Sequence, residues 1–217
     1  MTIETVRGSH ATIHFDPQKC IHSRHCVLDH PDVFVPNVQG DWIHPDAASA
    51  DELIRLGQNC PSGAIRVQCH EPSGDGLASS DGAPLVNTVR VRENGPLAIE
   101  ADLHIRGEVQ LSPRATLCRC GQSANKPFCD GAHTAAGFTA TGEPATGSFE
   151  PLAARSGPVD VLPGPDGPLQ VVGNLELVSG TGRSFDKTTE TFLCRCGASK
   201  NKPYCDGSHK PANFRAE

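Results

Sequence analysis

The chain has 217 residues, room for one ordinary domain or two to three small ones. Its net charge of −6 argues against nucleic acid as the main partner, because phosphate binding needs a basic surface. Only 37% of the residues are hydrophobic, 22 are Gly and 18 are Pro. Such loop-rich, thin-cored chains need staples such as metals or disulfides, and ten cysteines supply the means. No charged start leads into an apolar leader, and no apolar run approaches membrane length. The expectation is a chain of the reducing cytoplasm, without a membrane partner.

In chain order, residues 11–15 (Ala-Thr-Ile-His-Phe) alternate like a strand. Asp16-Pro17 then turns into a loop bearing Cys20, His22, Ser23, His25 and Cys26. A short helix and turn are expected over Val27–Phe34, and a short strand at Trp42-Ile43. Ser49 followed by Glu52 is a capping box, which starts a helix near Ala50 with Leu53, Ile54 and Leu56 on its apolar side. That helix stops near residues 57–59, and Cys60-Pro61-Ser62-Gly63 turns into a strand at 64–67. Cys69, just beyond, reads as an inert thiol.

This order resembles one half of a bacterial-type ferredoxin, with Cys20-x2-Ser23-x2-Cys26 and a distant Cys60-Pro61. Residues 12–68 are similar to the divergent single-cluster 4Fe-4S ferredoxin-like domain. The resemblance implies that Cys20, Cys26 and Cys60 hold a cubane-type cluster. Three thiolates suffice for [3Fe-4S]; [4Fe-4S] needs a fourth donor, for which Ser23, His22, His25 or a small exogenous ligand stands available.

Residues 70–83, rich in Gly, Ser and Asp, read as a linker. A repeat follows it. Val89-Arg-Val91, Gly95-Pro96-Leu97-Ala98-Ile99 and Leu103-His-Ile105 recur as Val159-Asp-Val161, Gly167-Pro168-Leu169-Gln170-Val171 and Leu175-Glu-Leu177. Each copy runs strands first and a cysteine loop last, with a connector between them. The expected domains are 1–70, a linker at 71–83, 84–140, a connector at 141–157, and 158–217.

The two loops carry the chemistry. Cys118-x-Cys120-x8-Cys129-x3-His133 recurs as Cys194-x-Cys196-x8-Cys205-x3-His209. Packing depends on volume and has no need of sulfur at fixed spacing, whereas a metal centre needs soft donors at fixed geometry. Disulfides would leave the spaced histidines without a role, and neighbouring C-x-C thiols bridge poorly. Gly121 and Gly197 suit a tight turn, Pro127 and Pro203 stiffen the approach to the third thiol, and Asp130 and Asp206 could cap a short helix leading to the histidine. Three Cys and one His also suit a tetrahedral zinc staple, so a structural zinc module is the alternative reading.

Both loops match C-x-C-x2-[ST]-x3-P-x-C-D-G-[SAT]-H and resemble the CDGSH iron-sulfur domain of the NEET family. That resemblance implies two [2Fe-2S] clusters. Cys118/Cys120 or Cys194/Cys196 would hold one iron, and Cys129/His133 or Cys205/His209 the other. It also implies an α+β chain: a small ferredoxin-like N-terminal domain, then tandem β-rich repeats arranged about a pseudo-twofold axis as an internal dimer, consistent with a monomer. Lys126 and Lys202 could serve the clusters or only face solvent, and Arg119 and Arg195 are expected to contribute backbone N–H groups rather than side chains. No nucleotide loop, nucleophile triad or substrate motif is present in the sequence. The expectation is an electron or cluster carrier, not an enzyme, whose partners are redox proteins or apo iron-sulfur acceptors.

Overall fold

The computed structural model describes residues 2–72 and 79–216. They fall into two compact units, Met1–Gly82 and Ala83–Glu217.

The first unit is a three-stranded antiparallel sheet of β1 (Glu4–Arg7), β2 (Ala11–Phe15) and β3 (Ile65–Cys69), in that order, with two helices. Ala11 and Ile13 of β2, and Ile65, Val67 and Cys69 of β3, point to the buried face, as the period of two requires. Helix α1 spans His25–Asp29 and α2 spans Ala50–Asn59. The capping box forms: Ser49 Oγ accepts from Glu52 N–H, and Glu52 Oε2 accepts from Ser49 N–H at 2.8 Å. Leu53, Ile54 and Leu56 then face the core with Val33, Phe34 and Ile43. The Trp42-Ile43 strand reduces to a single bridge between Ile43 and Phe34. Trp42 itself packs edge-on against Phe15 and Phe34. Of the expected linker 71–83, residues 73–78 lie outside the described residues. Ser79 bridges Gln68, and Ser80 N–H reaches the Val67 carbonyl, so the far end of that stretch extends the sheet.

The second unit is one eight-stranded sheet. Its first repeat supplies β4 (Thr88–Val91), β5 (Leu97–Glu100), β6 (Asp102–Ile105), β7 (Glu108–Val109) and β8 (Arg114–Leu117), followed by helix α3 (Ala132–Ala135). Its second repeat supplies β9 (Pro158–Pro163), β10 (Leu169–Val178) and β11 (Ser184–Leu193). The repeats exchange strands reciprocally. β4 pairs parallel with the far half of β10, with Val89 opposite Leu177, and β9 pairs parallel with β6, with Val159 opposite Leu103. β10 therefore leaves β9 after Val172 and joins β4 from Glu176. Gly173 makes the change of partner possible: its φ is 135° and a Cβ there would stand 2.5 Å from the Pro158 carbonyl oxygen.

One core serves both repeats. Val89, Val91, Leu97, Ile99, Leu103 and Leu117 pack with Val159, Val161, Leu169, Val171, Leu175 and Leu177. Three or four short strands cannot bury enough apolar surface alone, and pooling the two half-cores removes that deficit. Asn87, fully buried, joins the halves by donating from Nδ2 to the carbonyls of Gly157 and Asn174, both at 2.9 Å. The loops that follow β8 and β11 carry the two cysteine motifs.

Candidate metal centres

Each C-terminal loop is held by its own backbone. Cys118 N–H donates to the Pro127 carbonyl and Cys194 N–H to the Pro203 carbonyl, at 2.8 and 2.7 Å. Cys129 N–H reaches Thr116 and Cys205 N–H reaches Phe192, both at 2.8 Å. Ser123 Oγ donates to the Phe128 carbonyl and Ser199 Oγ to the Tyr204 carbonyl at 2.7 Å. Both motif prolines follow cis peptide bonds. Asp130 Oδ1 accepts from Ala132 N–H and Oδ2 from Ala124 N–H; Asp206 does the same for Ser208 and Lys200. The aspartates thus pin both ends of the turn that presents the histidine. In the first loop that turn is α3; in the second it is a run of turns.

The donors then fall into pairs. Cys118 and Cys120 Sγ atoms are 3.8 Å apart, as are those of Cys194 and Cys196. Cys129 Sγ lies 3.3 Å from His133 Nδ1, and Cys205 Sγ 3.4 Å from His209 Nδ1. Two thiolates at about 2.3 Å from one tetrahedral metal stand about 3.8 Å apart, and a thiolate–imidazole pair slightly closer. Each pair therefore fits one metal ion. Among the described residues, no group of three Cys, His, Asp or Glu converges on a single ion. Each loop thus presents its four donors as two close pairs.

Backbone N–H groups point at the sulfurs. Gln122 and Ala198 donate to Cys120 and Cys196, and Gly131 and Gly207 to Cys129 and Cys205, all at 3.4 Å. Such bonds stabilise thiolate charge. Burial opposes ionisation and pushes the Cys129 thiol up to about 11. A thiol–thiolate hydrogen bond between Cys118 and Cys120 holds one proton between them, with Cys118 pushed down and Cys120 up. A bound cation reverses that cost, since coordination favours the deprotonated sulfur. His133 lies below the usual imidazole value because of burial, with Arg119 adding to the effect and Asp130 opposing it.

The two loops touch at the backbone of their inner cysteines. Cys120 and Cys196 form an antiparallel bridge. A Cβ on Gly121 would stand 2.4 Å from the Cys196 carbonyl oxygen, and one on Gly197 2.5 Å from that of Cys120. These glycines therefore do more than turn the chain; they allow the loops to meet.

The arginines differ from expectation. Arg119 and Arg195 are 1% and 0% exposed, and their side chains carry the structural role. Arg119 donates to the carbonyls of Arg92, Gly95, Ala140 and Thr141. Arg195 donates to those of Gly164 and Gly167. Each guanidinium lies 5.4 Å from a ring, Phe138 for Arg119 and Phe214 for Arg195. The signal was present in the sequence: both loops place Arg between the paired cysteines and Phe five residues after His. Buried arginine is rare enough that its side-chain use is evident only with the carbonyl cage assembled. Lys126 and Lys202 donate to the carbonyls of Ser123 and Ser199 in their own loops.

In the first unit, Cys20, Cys26 and Cys60 line one cavity of about 690 Å³. The candidate fourth donors His22, Ser23 and His25 line it too, and no Asp or Glu does. His22 Nδ1 stands 3.9 Å from Cys20 Sγ. His22 and Arg24, on either side of Ser23, take left-handed backbone with φ of 54° and 65°. Burial, then Cys60 and to a lesser degree Cys20, push the Cys26 thiol up to about 11, so the three sulfurs feel one another. Cys69 is buried at the end of β3 and does not line this cavity.

Comparison with known families agrees with this geometry. The family described as iron-binding zinc finger, CDGSH type, matches residues 94–134 and 166–210. The family described as divergent 4Fe-4S mono-cluster matches residues 6–70. No curated protein and no solved structure matches the chain.

Proposed function

The chain belongs to the CDGSH iron-binding family through both C-terminal loops and to the divergent 4Fe-4S mono-cluster family through its N-terminal unit, and from that premise we propose that this iron-sulfur protein is an electron carrier with three centres. The C-terminal loops would hold one [2Fe-2S] cluster each, and Cys20, Cys26 and Cys60 a [3Fe-4S] or [4Fe-4S] cluster. When bound, such clusters exchange single electrons at potentials set by ligand charge, hydrogen bonding and burial. The observation that carries the reading is the division of each loop's four donors into two close pairs. A zinc staple requires all four donors around one ion, and the pairs do not favour it.

The chain's own residues supply the rest. Cys118, Cys120, Cys194 and Cys196 would hold the inner irons. Cys129 with His133 Nδ1, and Cys205 with His209 Nδ1, would hold the outer ones. A neutral imidazole in place of a thiolate makes the added electron less costly. The same nitrogen can accept a proton, and below about pH 6.5 the proton competes with the metal. That competition supports cluster transfer or redox sensing as further uses of the same site. The reciprocal strand exchange supports a pseudo-twofold internal dimer, and the order strand, cysteine loop, helices, Cys-Pro, strand supports a ferredoxin-like first unit. All ten cysteines are free thiols, which suits a reducing compartment such as the cytoplasm. No helix among the described residues is long and apolar enough to cross a membrane. The partners would be redox proteins or apo acceptors, with no reaction on a substrate of its own.

Anaerobic purification followed by iron and acid-labile sulfide quantitation, with electron paramagnetic resonance, tests the reading. Two [2Fe-2S] signals and one cubane-type signal are expected. Zinc without sulfide would overturn it.

A further inference from the structure

One backbone bond occurs in both repeats with opposite surroundings. Cys129 N–H donates to the Thr116 carbonyl and Cys205 N–H to the Phe192 carbonyl. Thr116 is 2% exposed, whereas Phe192 is 47% exposed. Cys129 is buried and Cys205 is half-buried. Of the two loops, the second alone thus sets a candidate ligand one hydrogen bond from an aromatic residue at the surface.

Phe192 belongs to a larger patch. Leu162 of β9 pairs with Gln170 of β10, and Gln170 with Phe192 of β11. In the neighbouring row Asp160 pairs with Val172, and Val172 with Glu190. Directly opposed residues, and residues two apart along a strand, share one face. Leu162, Val172 and Phe192 therefore form one exposed apolar triangle, with Asp160 and Glu190 on either side of Val172. Gln170 Nε2 donates to Glu190 Oε1 at 2.7 Å and keeps that carboxylate on the face. The stretches 158–163, 169–172 and 190–193 contain these two acids and no Lys or Arg. In the first repeat Arg90 and Arg92 stand where the second has Asp160 and Leu162, so the sign of the charge is reversed there.

Apolar side chains left in water at one spot mark a contact surface. The carboxylates beside them draw in a cationic partner and repel an anionic one. A second copy of this chain docking symmetrically through the same face would set these acids against their own like. We propose that the outer face of β9, β10 and β11 docks a one-electron redox protein that presents an apolar spot ringed by Lys and Arg, and that electrons leave the chain there from the second loop. The proposal rests on the reading that the loops hold redox-active [2Fe-2S] clusters. One electron leaves the reduced second cluster, which is oxidised, and enters the partner's centre, which is reduced; no bond forms or breaks. Such encounters are brief and need only a small interface.

The probe is an oxidised c-type cytochrome whose haem edge is ringed by lysines, mixed in stopped flow with the reduced full chain and followed by the haem absorbance. Asp160→Asn with Glu190→Gln is expected to lower the second-order rate roughly tenfold at low salt and to flatten its dependence on ionic strength. Glu71→Gln with Glu150→Gln removes the same charge from exposed sites off this face and should leave the rate nearly unchanged. Phe192→Ser should lower the rate about threefold with the salt dependence intact, and Leu162→Ser carries that arm should Phe192→Ser fail to fold. Cys205→Ala, which removes the second centre, should slow the reaction about tenfold, whereas Cys129→Ala should not. Equal losses from the two charge pairs, no loss from Phe192→Ser or Leu162→Ser, or equal rates from the two cysteine variants would each overturn the docking face while leaving both clusters in place. An unmodified protein lacking the [2Fe-2S] signals overturns the electron-carrier reading and the docking face together.

Discussion

The loops Cys118–His133 and Cys194–His209 share the same hydrogen-bonded frame and nearly the same donor distances, yet their surroundings differ. Cys120 and Cys129 are buried, whereas their counterparts Cys196 and Cys205 are half-buried. Lys200 and Lys210 stand exposed where the first loop has Ala124 and Thr134. Tyr204 replaces Phe128 and donates its hydroxyl proton to Asp186. Donor geometry is set inside each loop, by backbone bonds that tolerate changes outside it. Electrostatics is set by what lies around the loop, and there the copies have diverged. One scaffold thus offers two donor sets of unequal exposure, set among different neighbouring charges.

The most severe way to break this comparison is to remove a ligand. Cys129→Ala is expected to abolish the first loop's [2Fe-2S] signal and its iron and sulfide while leaving the second's, and Cys205→Ala to do the reverse, read by resonance and sulfide content. Next come the glycines. Gly197→Ala combines a φ of 82° with a Cβ 2.5 Å from the Cys120 carbonyl oxygen, and should cost about 3 kcal/mol in denaturant titration. Gly207→Ala shares a φ of 86° but meets nothing within 4 Å, and should cost only about 1 kcal/mol.

Acid sharpens the comparison further. Burial holds the folded His133 below its ordinary value, so the unfolded chain binds the proton more readily. The resulting stability is fully present above about pH 6.5 and is lost as pH falls through the folded value. Where His133 Nδ1 holds iron, protons compete with the metal for it, so the first loop's visible absorbance should bleach on acidification below pH ~6.5, and His133→Cys should slow that bleaching and lower the potential. Tyr204→Phe, which makes the second loop resemble the first at that position, should cost about 1 kcal/mol by the loss of one hydrogen bond. The smallest effect belongs to the surface: Lys200→Ala with Lys210→Thr should narrow the gap between the two midpoints and reduce its dependence on salt.

Much of the first unit was legible in the sequence because its signals are local. Ser49 and Glu52 announced the start of α2, the alternation over 11–15 announced β2, and Cys60-Pro61 marked the end of the helix. Trp42-Ile43 gave way to a bridge because Trp42 is engaged by Phe15 and Phe34, a matter of packing rather than of pattern. The repeats were legible as repeats, but nothing in Val89-Arg-Val91 or Val159-Asp-Val161 says that each pairs with a strand of the other copy. Likewise the sequence suggests only a backbone role for Arg119 and Arg195, until carbonyls from distant segments, Arg92 and Gly164 among them, gather around their side chains.

By itself the sequence determined the donor set, its order and its doubling, because coordination chemistry fixes which atoms are needed and the loop's short span fixes their spacing. Only the tertiary structure decided that the two copies share one sheet and one core, and that the backbones of Cys120 and Cys196 bridge the two loops. Those contacts join residues far apart in the chain. They form because neither half buries enough apolar surface alone, and no local pattern records that shortage or how it is resolved.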